Sequence, residues 1–186
     1  MKENPALKYG LLGGIALVVI GIVMQLLVLS FLKSAVNDPD KFSMGKSILV
    51  SIGSLVLILA IFAICIVKAQ KEYRRINPEY TYRKLVAQGL LATLILVVVS
   101  MSISYLYNYL IAPELKAKTE ELTYQLYESM DIPEDQKEKI LEGMKEDNTV
   151  RQILTTLGLS LVLGMIVSLI SAMVLNKRNM ISNQMR

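Results

Sequence analysis

The sequence predicts an all-α, polytopic membrane protein with four transmembrane helices and a helical hairpin outside the membrane. Three observations carry this. The chain has 186 residues, of which 53% are hydrophobic and 19% charged. A soluble domain of this length carries more charge and less apolar residue. Four long runs contain no Asp, Glu, Lys or Arg at all. Between the third and fourth runs lies one charged segment with helical periodicity. Together these leave room for four spans and a modest loop structure, and for no separate soluble domain.

The first run covers residues 9–32, between Lys8 and Lys33. It begins like a signal peptide, after Lys2 and Lys8. Its 24 apolar or neutral residues exceed an ordinary signal core, and Ser30-Phe31-Leu32-Lys33 is a poor cleavage site. It reads as a retained anchor. The second span covers residues 47–67, between Lys46 and Lys68. A basic loop of residues 68–84 follows. The third run, residues 85–112, is 28 residues long. At 1.5 Å per residue it reaches roughly 42 Å, against a hydrocarbon core of roughly 30 Å. The span itself is expected over residues 85–108, with its end projecting. The last turns contain Tyr105, Tyr107 and Tyr109, and Tyr prefers the membrane interface. The fourth span is expected over residues 153–176, between Arg151 and Lys177.

Charge sets the expected orientation. With four spans, both termini and the second loop share one side. That side holds 11 basic and three acidic residues, against nine and 13 on the other. The excess in total basic residues is small, so density decides. Six basic residues, including Arg74, Arg75, Arg83 and Lys84, crowd the 17-residue loop, whereas residues 114–151 spread six over 38. Basic residues near helix ends favour the cytoplasm, so both termini are expected there. The same basic residues, with Tyr73, Tyr80 and Tyr82 among them, suit contact with anionic headgroups at the lipid bilayer. So short a membrane-tied loop is a poor nucleic-acid surface.

The extracytoplasmic hairpin is expected over residues 113–150. In its first arm Leu115, Thr119, Leu122, Leu126 and Met130 make one apolar face. Pro113 predicts a break at the membrane exit. In the second arm Asp131-Ile132-Pro133-Glu134 reads as a helix start, and Ile140, Leu141 and Met144 supply a stripe. Eleven acidic residues fall in residues 114–151. The hairpin is expected to fold back toward the fourth span. It reads either as a connector covering the bundle or as a docking surface for a membrane or periplasmic protein partner.

Helices in lipid pack through small residues that let backbones approach. Ser160, Gly164, Ser168 and Ala172 step by four along the fourth span. They suit packing within one bundle or a homo-oligomer through helix 4. Gly10, Gly14 and Gly21 lie along one side of the first span. Ser47 with Ser51, and Ser100 with Ser104 and Asn108, repeat the four-residue step. The approaches to the second and third spans share a grammar. Asp38-Pro39 and Asn77-Pro78 are each followed by an acidic residue, an aromatic, and Ser or Thr as an N-cap.

The chemistry of sites is sparse. His and Trp are absent and Cys65 is alone. No metal site, cofactor site or catalytic residue is expected, and an enzyme is not expected. No ionisable residue interrupts a span, which disfavours a proton-coupled transporter. Gln25, Gln88 and Asn108 are the strong polar side chains within the spans.

The order of parts resembles the small bacterial membrane family known as domain of unknown function 4199. The resemblance runs through Asn4-Pro5-Ala6-Leu7-Lys8-Tyr9-Gly10 and the turn Lys71-Glu72-Tyr73-Arg74. It continues in Tyr80-Thr81-Tyr82-Arg83-Lys84 and in Ala112-Pro113-Glu114-Leu115. The charged hairpin and a last helix through Gly164, Ser168 and Ala172 to Lys177-Arg178 complete it. It implies four spans in a bacterial inner membrane and brings no catalytic residues. The leading expectation is a non-enzymatic accessory or scaffold subunit with an acidic docking hairpin. The alternative is a small transporter or channel for an uncharged or lipid-like solute, using Gln25, Ser51, Ser54, Ser100 and Ser168.

Overall fold

The computed structural model describes residues 4–37, 44–129, 134 and 149–184. The described residues form five α-helices and one π-turn: α1 (Pro5–Asn37), α2 (Met44–Ile76), α3 (Tyr82–Leu106), the π-turn (Tyr107–Ile111), α4 (Pro113–Ser129) and α5 (Thr149–Gln184). Four of these helices are long and apolar enough to cross a membrane, over Pro5–Val36, Ile52–Ile76, Tyr82–Ile111 and Ile153–Asn176. The protein is therefore an all-α, four-helix membrane protein. Large apolar side chains such as Leu12, Val19, Leu55, Ile58, Leu94, Val98, Leu159 and Ile170 lie exposed on its flanks. In water such a surface carries a large penalty; in hydrocarbon it is the solvated face.

The helices outrun the apolar runs that define them. α1 has 33 residues, about 50 Å at 1.5 Å per residue. Asn4 caps it: its Oδ1 accepts from the Ala6 N–H at 3.1 Å, and Pro5 takes the first helical position, where no amide donor is needed. α2 continues past Val67 to Ile76. Most of the expected 68–84 loop is thus helix, and only residues 77–81 form a turn. The reason is packing: the buried stripe Phe62, Cys65, Ile66, Ala69 and Gln70 runs across the charged boundary without a break. The turn closes on Asn77, whose backbone N–H and side-chain Nδ2 both donate to the Tyr73 carbonyl. Thr81 then caps α3, accepting from the Lys84 N–H. The matching segment ahead of α2, residues 38–43, lies outside the described residues.

α1 and α3 run side by side in the same direction. Gly10 faces Ala92 and Ile95, Gly14 faces Leu96 and Val99, and further along Gln25 lies beside Asn108. α5 crosses α3 antiparallel, with Gly164 on Thr93, Ser168 on Gly89, and Ala172 beside Leu85. α2 closes the apolar centre with Phe62, Cys65 and Ile66 against Leu96 and Val97. The packing of α2 and α5 on α3 is densest at the end of the bundle that carries the basic residues. Toward the other end Leu55, Val56 and Leu57 of α2 and Leu154 and Leu159 of α5 stay exposed.

Pro113 ends the third helix as expected, with an additional π-turn. A residue before proline avoids the α conformation, and Ala112 sits at φ −135°, ψ 54°. Its N–H reaches back five residues to the Tyr107 carbonyl at 2.8 Å, the bond that defines a π-turn. Pro113 then opens α4. The apolar face of α4 packs on the far end of α1, with Leu122 and Leu126 against Val28, Leu32, Ala35 and Val36. Among the described residues α4 packs on the first helix, and the segment expected to fold back toward the fourth span lies outside them. The last turns of α1, through Val28, Leu32, Ala35 and Val36, supply the apolar surface on which α4 rests. The second arm, with Ile140, Leu141 and Met144, lies outside the described residues.

Candidate functional site

Three polar assemblies stand out in this bundle, and the first is a buried lock at the basic end. The Gln70 side chain is fully buried. Its two Nε2 protons are shared among three acceptors, the Leu85 carbonyl at 3.1 Å, the Ser168 carbonyl at 3.0 Å and Ser168 Oγ at 3.0 Å. Its Oε1 accepts from Ser171 Oγ. Ser168 Oγ donates onward to the Val86 carbonyl at 2.9 Å. One amide so ties α2 to both α3 and α5. Glycine makes the approach of these helices feasible: a Cβ at Gly89 would stand 2.6 Å from Gln70 Nε2 and would strike Ser168, and one at Gly164 would strike Thr93. Thr93 is itself fully buried and donates to the Gly89 carbonyl at 3.0 Å. Every polar group of this lock has a partner, as low dielectric demands. Its chemistry is cohesion.

Around the lock lie the basic side chains. Arg74 donates to the Leu175 carbonyl at 3.0 Å and lies 5.9 Å from the Tyr80 ring centroid. Lys8 pairs with Glu72 at 3.3 Å, joining α1 to α2, and Arg75 approaches Glu72 at 4.0 Å. Arg83 and Lys84 are exposed. Arg74 thus serves packing, whereas Arg75, Arg83 and Lys84 face outward.

The second assembly lies near the other end of the α1–α3 seam. A cavity of about 140 Å³ is lined by Val18, Gly21, Ile22, Gln25, Ser104, Tyr107 and Asn108. Asn108 sits in the π-turn, and its Oδ1 is buried without a hydrogen-bond partner among the described residues. Tyr105 and Tyr109, with ring centroids 4.5 Å apart, flank this level, and Lys116 Nζ donates to the Tyr109 hydroxyl at 2.9 Å. Of the three tyrosines expected at the interface, Tyr105 and Tyr109 are exposed, whereas Tyr107 lines the cavity.

The third is the outer face of α4. With Leu126 buried, Glu114, Glu120, Glu121 and Glu128 are left exposed. Lys116 bridges to Glu120 at 3.6 Å.

The predicted packing residues divide. Gly10 and Gly14 are true contacts: an added Cβ would stand 2.7 Å from Ile95 Cβ and 2.8 Å from Val99 Cβ. Gly164, Ser168 and Ala172 are buried against α3, whereas Ser160 is half-buried on the splayed part of α5. Gly21 is not a packing glycine, because nothing lies within 4 Å of a Cβ built there. Gly21 borders the cavity instead. Sequence reasoning missed Gln70, Gly89 and Thr93. The signal was present in two places: Gly89 and Thr93 repeat the four-residue step opposite Gly164 and Ser168, and Gln70 continues the stripe from Phe62 and Ile66.

Comparison with protein families matches residues 8–177 to the family described as "Protein of unknown function (DUF4199)". Comparison with curated proteins and with solved structures gave no match.

Proposed function

The chain belongs to the DUF4199 family, and from that premise we propose that it is a non-enzymatic accessory or scaffold subunit of a bacterial cytoplasmic membrane. In this reading the basic end, with both termini, faces the cytoplasm, and α4 stands on the opposite side as the docking element. The observation that carries it is the seating of α4. Its apolar face is consumed by α1 at Leu122 and Leu126, so what it offers outward is a row of carboxylates on a supported helix. A supported, charged helix presents its contacts already ordered and loses less entropy on binding than a free loop. The buried polar side chains favour the same reading, since Gln70, Ser168 and Ser171 spend their hydrogen bonds on one another and on the backbone. The partner is a protein with a basic surface, in or beside the membrane. Self-association through the last helix, in this scheme, uses its splayed part, where Ser160 and the open Gly158 lie.

Photo-crosslinkers at Glu121 and Glu128 in intact cells test this. The expected result is one discrete adduct from both positions, lost when Glu114, Glu120, Glu121 and Glu128 are changed together to Lys. Diffuse labelling that survives the charge reversal would remove the docking role. The transporter alternative is favoured by one observation, the cavity beside Gln25. Toward the basic end, however, Leu96, Val97, Phe62, Cys65 and Ile66 fill the bundle centre, so a path through a single copy needs these side chains to separate.

A further inference from the structure

We infer that the cavity between α1 and the π-turn binds one neutral, hydroxyl-bearing group of ring size or smaller: the polyol end of an uncharged lipid, or a free polyol. Four features point to it. The first is size. At about 140 Å³ the cavity compares with the roughly 150 Å³ that accepts a benzene-sized guest in a protein interior. The second is chemistry. Its described lining joins the apolar Val18 and Ile22 to the amides of Gln25 and Asn108 and the hydroxyls of Ser104 and Tyr107, with no charged side chain. Such a lining discriminates against ions and phosphates and suits a neutral guest that both donates and accepts.

The third feature is the unmet acceptor. Asn108 Oδ1 is buried and unpartnered among the described residues. Leaving such an atom unpaired in low dielectric is costly, and a rotation of the Asn108 amide that turns it to the cavity lets a guest that donates an O–H satisfy it. The π-turn places this residue there, and π-turns are uncommon and concentrate at functional sites. The fourth feature is Gly21. Gly10 and Gly14 are required by the packing of α3, but Gly21 faces open space. A glycine in a helix interior is less stable than alanine by roughly 1 kcal/mol. Here its absent side chain keeps the mouth of the cavity clear. The depth agrees with a lipid source: the cavity lies at the level of Tyr105 and Tyr109, where the glycerol region of a bilayer is found.

The full chain contains no Trp, so Tyr107→Trp supplies a single fluorophore in the cavity wall. In this background, reconstituted in phosphatidylcholine bilayers, quenching by brominated diacylglycerol is compared with quenching by brominated phosphatidylcholine. The expected result is preferential quenching by the diacylglycerol. Gly21→Leu, whose side chain grows into open space, abolishes the preference while circular dichroism and melting stay unchanged. Asn108→Leu weakens it roughly tenfold, the loss of one buried hydrogen bond. Free glycerol is the second arm. A glycerol-dependent shift of Trp emission that Gly21→Leu removes, without lipid preference, identifies a free polyol as the guest. No lipid preference together with no glycerol response overturns the inference, as does a preference that Gly21→Leu leaves intact. None of these readouts involves the outer face of α4.

Discussion

Gln70 ties three helices together, and Gln70→Met is the substitution that measures that tie. Methionine keeps the length and the burial and removes the amide. Three donor contacts from Nε2 and one acceptor contact at Oε1 are lost. Their net worth is smaller than the count suggests. The carbonyls of Leu85 and Ser168 belong to helix interiors and keep a partner there, while Ser168 Oγ still donates to Val86. Ser171 Oγ falls back on the Ser168 carbonyl, already 3.3 Å away. Interhelical hydrogen bonds in membranes average ~0.6 kcal/mol and reach ~1.7 kcal/mol. Two helices are tied by this one amide, so the expected loss is about 1–3 kcal/mol. The assay is unfolding in mixed micelles with increasing dodecyl sulfate, run as a double-mutant cycle with Ser171→Ala. The cycle is expected to show coupling of about 0.5–1.5 kcal/mol. Additive effects, with coupling below about 0.3 kcal/mol, would refute the lock as described.

Other perturbations follow from the same packing. Gly89→Ala places a methyl group against Gln70 and Ser168 and is expected to destabilise the bundle by about 1–3 kcal/mol. Gly21→Ala meets no neighbour and is expected to be neutral or slightly stabilising in the same unfolding assay; equal losses at both positions would contradict the assignment of their roles. Leu126→Lys removes the buried anchor of α4, whose side chain contributes about 1.5–3 kcal/mol. Amide exchange across residues 113–129 should then accelerate while the apolar helices keep their protection. Thr81→Ala deletes the cap of α3 at an exposed position, and a loss of about 0.5–1 kcal/mol is expected.

The parts of this fold that were legible in sequence are those a bilayer alone dictates. A charge cannot sit in hydrocarbon without cost, so uninterrupted apolar runs had to be spans, and Pro113 had to end one of them. The parts that were not legible depend on which helix lies opposite. Gln70 follows Lys68 and precedes Lys71, and read locally it belongs to a wet loop. Its burial is set by Ser168, 98 residues further on, and by Gly89, which lets the three helices converge. Three of the four glycines of α1 make the same point in reverse. Gly10, Gly14 and Gly21 share one face by spacing, yet only the first two meet α3. Spacing reports the face of one helix, but contact needs a second helix to remain parallel and close, and α3 turns into a π-helix at Tyr107. Pro113 closes that π-turn, because the residue before a proline leaves the α conformation. The same residue therefore ends the third helix, opens α4 against the last turns of α1, and leaves Asn108 in the π-turn, lining one cavity with Gly21. The cavity lies where this proline-terminated helix ends beside α1, and glycine at position 21 contributes no side chain to its lining.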